Sequence, residues 1–188
     1  MLDINSDHLT YYINTPLDIN EHLTTLHSYA LQCNHITEMG VRNVVSTWAF
    51  LYAKPKTIIS YDITSSENIF LAYEYAKKHN IDFTFIQNNV LDIKIAPTEL
   101  LFIDTLHQYK QLKQELNLHS QYVSKYIIFH DTSKFGVIDE LTGQAGGLQP
   151  AIDEFLSTNS EWKLKERFTN NNGLTIIQRN NQISTPNN

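Results

Sequence analysis

Apolar residues along this chain fall into two arrangements, short continuous runs and stripes spaced three and four apart. The runs are 35–38, 57–62, 100–104 and 126–131, and each ends in an acid: Glu38, Asp62, Asp104 and Asp131. Continuous apolar runs of this length fit parallel strands covered on both faces. The stripes between them read as helices. Asp18-Ile19-Asn20-Glu21 opens one with capping residues, and Leu23, Leu26, Ala30 and Leu31 form its inner face. Ser46 or Thr47 opens the next, which runs through Trp48, Ala49, Leu51 and Tyr52 and stops before Pro55. Ser65 or Ser66 caps a third, with Ile69, Ala72, Tyr73 and Ala76 facing inward. Residues 82–86 alternate and predict a strand nearer an edge, and 108–123 predict a helix through Leu112, Leu116 and Leu118.

The pattern changes after Asp131. Residues 133–147 hold Gly136, Gly143, Gly146 and Gly147 and no apolar period, so they read as a long loop, expected to order over a bound acceptor as a lid. Pro150 sits early in a last helix through Ile152, Phe155 and Leu156. Residues 162–168 and 174–178 are strands joined by an Asn-Gly turn. The order predicts an α/β fold, a doubly wound and mostly parallel sheet closed by a C-terminal antiparallel β-hairpin. One domain spans 1–188, with a polar lead-in over 1–17 and a frayed tail over 181–188. Ligands of open α/β sheets bind beyond the carboxyl ends of the strands, so the four acids are expected to converge on one crevice.

Composition narrows the function classes. The net charge is −6 and no Lys/Arg cluster is present, which argues against nucleic acid as a partner. No apolar run approaches the ~20 residues of a membrane span, and the first residues lack the basic and apolar regions of a signal peptide. The lone Cys33 cannot form an internal disulfide, and the expected location is the cytoplasm.

Three segments, in order and at strand ends, carry a resemblance. Glu38-Met39-Gly40-Val41-Arg42, followed by Ser46-Thr47-Trp48-Ala49, resembles motif I of class I S-adenosylmethionine (SAM)-dependent methyltransferases. Phe102-Ile103-Asp104-Thr105-Leu106-His107 and Phe129-His130-Asp131-Thr132 resemble the later signatures of the cephalosporin-hydroxylase-like, small-molecule (sugar) O-methyltransferase branch. The resemblance covers residues 18–180 and implies a Rossmann-like sheet. Two positions depart from it: Val44 and Thr105 stand where the family has or often has glycine. A Cβ at the strand–helix turn narrows the approach of backbone to ligand.

The resemblance implies roles. Gly40 lets the main chain pass close to the methionine part of SAM. Glu38 takes up the cofactor's ammonium, directly or through water. Asp62 accepts the two ribose hydroxyls, a task suited to a group with two acceptor oxygens. Asn89, beside Asn88, faces adenine, and Asp104 completes the cofactor site. Neighbouring strands lie ~4.8 Å apart, so Asp104 and Asp131 can share a divalent ion. Hard oxygen ligands suit Mg²⁺, Mn²⁺ or Ca²⁺, and His130, where some relatives have a glutamate ligand, would favour a softer ion such as Mn²⁺ or Fe²⁺. Adjacent strand residues point to opposite faces, so His130 and Asp131 reach one ion only if the strand has already turned. His107, three residues after Asp104, matches the general base of metal-dependent sugar O-methyltransferases. His8, His22, His27, His35, His79 and His119 lie in polar or helical settings and read as surface residues.

The implied activity is SAM-dependent O-methylation of a small polar acceptor, such as a sugar or nucleotide-sugar hydroxyl, with self-association into a homo-oligomer left open. Two rivals stand beside it. One is a non-catalytic SAM or nucleotide-binding module, motivated by Val44. The other is a nicotinamide-dependent oxidoreductase, disfavoured because no Gly-x-Gly-x-x-Gly follows the first strand.

Overall fold

The computed structural model describes residues 7–180, so the expected frayed tail lies outside the described residues. Seven strands form one sheet: β1 (His35–Met39), β2 (Thr57–Asp62), β3 (Asp82–Gln87), β4 (Thr98–Ile103), β5 (Val123–His130), β6 (Trp162–Phe168) and β7 (Leu174–Arg179). Their spatial order is β3-β2-β1-β4-β5-β7-β6. β1 to β5 run parallel, and β7 inserts antiparallel between β5 and β6. This is the expected Rossmann-like doubly wound sheet with its closing hairpin. The strand order reverses between β1 and β4, so the crevice opens beyond the carboxyl ends of those two parallel strands.

Among the described residues six α-helices cover the two faces: α1 (His8–Ile13), α2 (Leu23–Ala30), α3 (Val45–Tyr52), α4 (Ile69–Lys78), α5 (Tyr109–His119) and α6 (Leu148–Thr158). Ile36 and Ile58 face the α1–α4 side, in one core with Leu23, Leu26, Trp48 and Phe50. Met39, Leu101 and Ile127 face the α5–α6 side, in a second core with Leu112, Leu116 and Ile152. β3 is an edge strand, as its alternation predicts. β6 forms the other edge, where Lys163 and Lys165 are exposed and discourage pairing with another sheet.

Several details differ from the sequence reading. The polar lead-in contains α1, capped by Asp7, and the His8 ring stacks on Trp48 with centroids 3.9 Å apart. Tyr73 and Leu31 are exposed, while Tyr75 is buried. Three histidines read as surface residues are buried: His8, His22 and His119. His22 Nε2 meets the Asn170 carbonyl at 3.0 Å and His119 Nε2 meets the Val90 carbonyl at 2.8 Å. A histidine with one satisfied nitrogen is small and flat enough to pack, which polarity alone does not reveal.

Candidate functional site

The crevice is built by two loops. The first, 40–44, joins β1 to α3. Gly40 has φ +87°, and a Cβ on it would lie 1.9 Å from the Asp104 carbonyl oxygen, so only glycine lets the ends of β1 and β4 close together. Arg42 (φ 45°) and Val44 (φ 68°) also adopt left-handed backbone. Val44 is fully buried and β-branched, so it holds a conformation that glycine takes without strain. The turn therefore has, at Val44, the left-handed backbone that favours the glycine expected there from the resemblance.

Asp62, at the end of β2, anchors this loop. Its Oδ2 accepts from the Val41 and Arg42 amides at 2.8 and 2.9 Å. Its Oδ1 accepts from the Thr64 amide and hydroxyl at 2.9 and 3.1 Å. Burial would raise its pKa, but these donors outweigh burial and lower it. A carboxylate has about four acceptor sites, and all are engaged, so a ribose diol would share or displace the Thr64 donors.

Glu38 corrects the sequence reading. The alternation of β1 points it under α3, where it is fully buried and lines neither cavity of the crevice. Ser46 Oγ and Ser60 Oγ each donate to it at 2.6 Å, and Thr47 Oγ1 at 2.8 Å. Burial, tempered by these hydroxyls, pushes its carboxyl up to about 7. Glu38 therefore ties α3 to β1 and β2 and does not touch the space a cofactor would fill.

Two cavities share Gly40, Arg42, Asp62, Asp104 and Thr105. The larger, about 430 Å³, is mostly apolar and is walled by Tyr61, Ile63, Val90 and Leu106, with Asn88 and Asn89 at one side. Asn89 lines it as expected, but its Oδ1 is engaged by the Leu91 amide at 3.0 Å, starting the turn 90–92. The smaller cavity, about 210 Å³, is polar and reaches Ser46, His107, Asp131 and Glu140.

The second loop region lies beyond β4 and β5, where titratable side chains crowd together. His107 Nε2 stands 3.2 Å from Asp104 Oδ1 and 3.1 Å from Asp131 Oδ2. His130 Nδ1 stands 3.3 Å from Asp104 Oδ1 and 3.5 Å from Asp131 Oδ2. His130 and Asp131 are adjacent yet face one centre because Asp131 has φ +60°, which turns the backbone at the strand end. Asp131 Oδ1 is buried without a hydrogen bond. Among the described residues, ligand atoms of Asp104, His107 and Asp131 lie within 4.8 Å of one another.

The carboxylates favour the protonated form of both rings. Burial lowers the pKa of His107 and of His130, but the hydrogen bond and charge of Asp104, with Asp131 behind it, outweigh that and raise both. Burial likewise opposes ionisation of Asp104, and the two histidines overcome it and hold its carboxyl well below the usual range.

His107 differs from its expected role as a free base. Its Nδ1 meets Glu140 Oε2 at 2.9 Å, so both ring nitrogens face carboxylates. Phe135 stacks on the ring at 4.9 Å between centroids, with the planes 5° apart. Glu140 and Phe135 belong to the glycine-rich loop, which is already closed. Gly146 O accepts from the Tyr109 amide at 2.7 Å, and the Glu140 amide donates to His107 O at 3.2 Å. In this structure the loop expected to act as a lid lies against the start of α5. No sequence signal marked Glu140, which lies 33 residues from His107 in a segment without periodicity. Glu115 was readable, since it shares an inner helix face with Leu112 and Leu116. Buried there, it accepts from Thr105 Oγ1 at 2.6 Å, and burial pushes it up to about 7.

No protein-family model matches the chain, and no curated protein matches its sequence significantly. Solved structures do match its fold. An O-methyltransferase from Bacillus cereus, in complex with S-adenosylhomocysteine (SAH), is 14% identical with a TM-score of 0.63, covering 94% of this chain and 92% of its own. The O-methyltransferase TomG from Streptomyces achromogenes, in complex with SAM, is 16% identical with a TM-score of 0.63, covering 93% and 90%. The N-methyltransferase NodS from Bradyrhizobium japonicum, with SAH, is 12% identical with a TM-score of 0.61, covering 94% of each. At these identities the likeness shows the fold, and the neighbours differ in the atom they methylate.

Proposed function

We propose that the chain is a SAM-dependent methyltransferase that transfers the methyl group to a hydroxyl of a small polar acceptor. The single observation that carries the reading is the paired cavity at the β1/β4 switch point. Its apolar compartment has room for an adenosine between Ile63, Val90 and Leu106, and its polar compartment joins it past Gly40. Solved SAM- and SAH-bound structures of the same fold support the cofactor. Asp62 and Asn89 would meet the ribose and adenine ends, and Gly40 and Asp104 the methionine end. An acceptor in the polar compartment would present its oxygen in line with the sulfonium methyl, and holding that geometry is the main source of rate.

The acids and histidines beyond β4 and β5 fit a divalent ion, because Asp131 Oδ1 is a buried acceptor without a donor. Asp104, Asp131 and His130 would hold it. Such an ion lowers the pKa of a bound hydroxyl and so reduces the need for a separate strong base. This cluster favours an enzyme over a non-catalytic binding module, since cofactor capture alone does not call for it. The sugar or nucleotide-sugar acceptor rests on the resemblance of Asp104-x-x-His107 and His130-Asp131 to that branch. We place the protein in the cytoplasm on its single cysteine. No helix of the described residues is long and apolar enough to cross a membrane.

The test is calorimetric titration with SAH and, separately, with NAD. Saturable SAH binding together with methylation of a hydroxyl in a screen of free and nucleotide-linked sugars is the expected outcome. NAD binding without SAH binding would overturn the assignment. SAH binding with no turnover on any acceptor would move the reading to the binding module.

A further inference from the structure

We propose that Gln111, held by the buried Glu115, reads the 6-amino edge of a purine in the larger cavity, so that the site takes an adenosyl group and rejects a 6-oxopurine. Gln111 is then a binding residue and Glu115 its positioning residue. The inference rests on the cofactor reading above and adds two residues of α5 to it.

The carboxamide oxygens expected beside adenine are already engaged. Asn89 Oδ1 accepts from the Leu91 amide at 3.0 Å, and Asn88 Oδ1 accepts from the Asn89 amide at 2.8 Å. Both asparagines turn their oxygens onto the backbone and leave their NH₂ groups, which are donors. Donors suit the ring nitrogens of a purine but not its exocyclic amine, which itself donates. Gln111 is half-buried and shares the wall of the cavity with Asn88, Asn89, Val90 and Leu106. Its Nε2 donates to Glu115 Oε1 at 2.8 Å across one turn of α5. The amide nitrogen is thus held toward Glu115, and Gln111 Oε1 receives no hydrogen bond among the described residues.

Glu115 makes that orientation one-sided. It is fully buried, and its Oε1 also accepts from Thr105 Oγ1 at 2.6 Å. Two hydrogens already point at this oxygen, so a proton bound to Glu115 sits on Oε2, which is buried without a partner. Oε1 is an acceptor in either charge state, and a flipped Gln111 would set oxygen against oxygen. Burying this group with one oxygen unsatisfied is costly on a helix face shared with Leu112 and Leu116. What the carboxylate supplies there, and an apolar residue would not, is a fixed direction for Thr105 and Gln111, both on the cavity wall. A 6-oxopurine presents an acceptor where adenine presents a donor, and the held amide cannot turn over to meet it. Sites built to bond an N–H reject the analogue that lacks it far more strongly than apolar pockets reject a change of size.

The probes are SAH and its 6-oxo analogue, S-inosylhomocysteine, titrated by calorimetry into full-length wild type, Gln111→Met and Glu115→Met. The wild type should bind SAH at least ~30-fold more tightly than the analogue. Gln111→Met should weaken SAH by about 10-fold or more and change the analogue less than about threefold. Glu115→Met lets Gln111 turn its amide, and should bring the two ligands within about fivefold, chiefly by strengthening the analogue. A merely structural role would weaken both ligands together and leave their ratio intact. An unchanged ratio in folded Gln111→Met therefore overturns the proposal, and an unchanged ratio in Glu115→Met overturns the part given to Glu115. A wild type that binds both ligands within about threefold overturns the proposal whatever the variants do. Failure of SAH to bind at all overturns the cofactor reading and this one with it, whereas SAH bound without preference overturns this one alone.

Discussion

The two halves of the crevice spend their polar groups in opposite ways. On the β1/β2 side every acid is satisfied from within. Asp62 holds the 40–44 loop and Thr64, and Glu38 is enclosed by three hydroxyls. On the β4/β5 side the acids and histidines face one another, and a carboxylate oxygen of Asp131 is left buried without a donor. Internally satisfied groups fix a shape, and that half is a mould. There the carboxylates are answered mainly by the histidines beside them, and that is the half for which we propose a cation. The difference teaches that a row of strand-end acids is not one site with one chemistry.

The largest expected effect comes from breaking the seam between the halves. Gly40→Ala places a Cβ 1.9 Å from the backbone oxygen of Asp104, which no flexible side chain can relieve, and does so at φ +87°. We expect a loss of more than ~4 kcal/mol in urea unfolding, or no folded protein, and loss of both SAH and divalent-ion binding in whatever remains folded. A folded variant that keeps either ligand at wild-type affinity would show that the two halves do not share this seam.

The mould half also has a pH signature. Glu38 has a pKa of about 7 when folded, against 4.5 for an ordinary glutamate. The folded state thus binds the proton more tightly than the unfolded state. Its contribution is fully present below pH ~4.5 and is lost as pH rises to ~7, a change on the order of 3 kcal/mol. Glu38→Gln cannot ionise. Its stability relative to wild type, from urea unfolding at pH 5 and pH 8, should therefore improve by about that amount at the higher pH. A pH-independent difference would mean that Glu38 keeps its charge among the hydroxyls.

Much of this was legible in the sequence, and the exceptions share a cause. The strands could be read because burial on both faces leaves continuous apolar runs, as in 100–104 and 126–131. The meeting of Asp104, His107 and Asp131 could be read because strand ends fix where a residue lies. The position of His130 beside Asp131 depended on one dihedral angle, the left-handed turn at Asp131, which no periodicity records. Glu38 was placed in the crevice because it ends an apolar run, whereas the strand's alternation turns it under α3. Glu140 and the Asp18 carbonyl act through tertiary approach alone.

A smaller effect sharpens the role of Asp62. Asp62→Ala should weaken SAH by about 30-fold, on the order of 2 kcal/mol, through lost acceptors and a loosened 40–44 loop. Because Asp62 makes no hydrogen bond to the cluster beyond β4 and β5, divalent-ion affinity, read with Mn²⁺, should change less than threefold. Calorimetry with each ligand reads both numbers. Unchanged SAH affinity would remove Asp62 from the cofactor site and leave it as a loop anchor.

The smallest effect concerns Val44, and it is small because two terms oppose each other. Replacing Val44 by glycine relieves a β-branched residue from left-handed backbone, a gain of about 1–2 kcal/mol. It also removes a fully buried side chain and adds chain entropy to the unfolded state, together a loss of about 2–3 kcal/mol. The net cost should be about 1 kcal/mol. Val45 is the internal control, since it is equally apolar, buried and adjacent, but it begins α3 and does not have a positive φ. Val45→Gly loses the same kind of burial with no strain to recover, and should cost about 3 kcal/mol. Paired urea unfolding of the two variants measures the difference directly. Equal costs would show that Val44 sits in its turn without strain, and the missing glycine would then be a neutral exchange. A cheaper Val44→Gly identifies a strained residue in the cofactor-side loop, where the chain gives up stability to keep the same turn with a different residue.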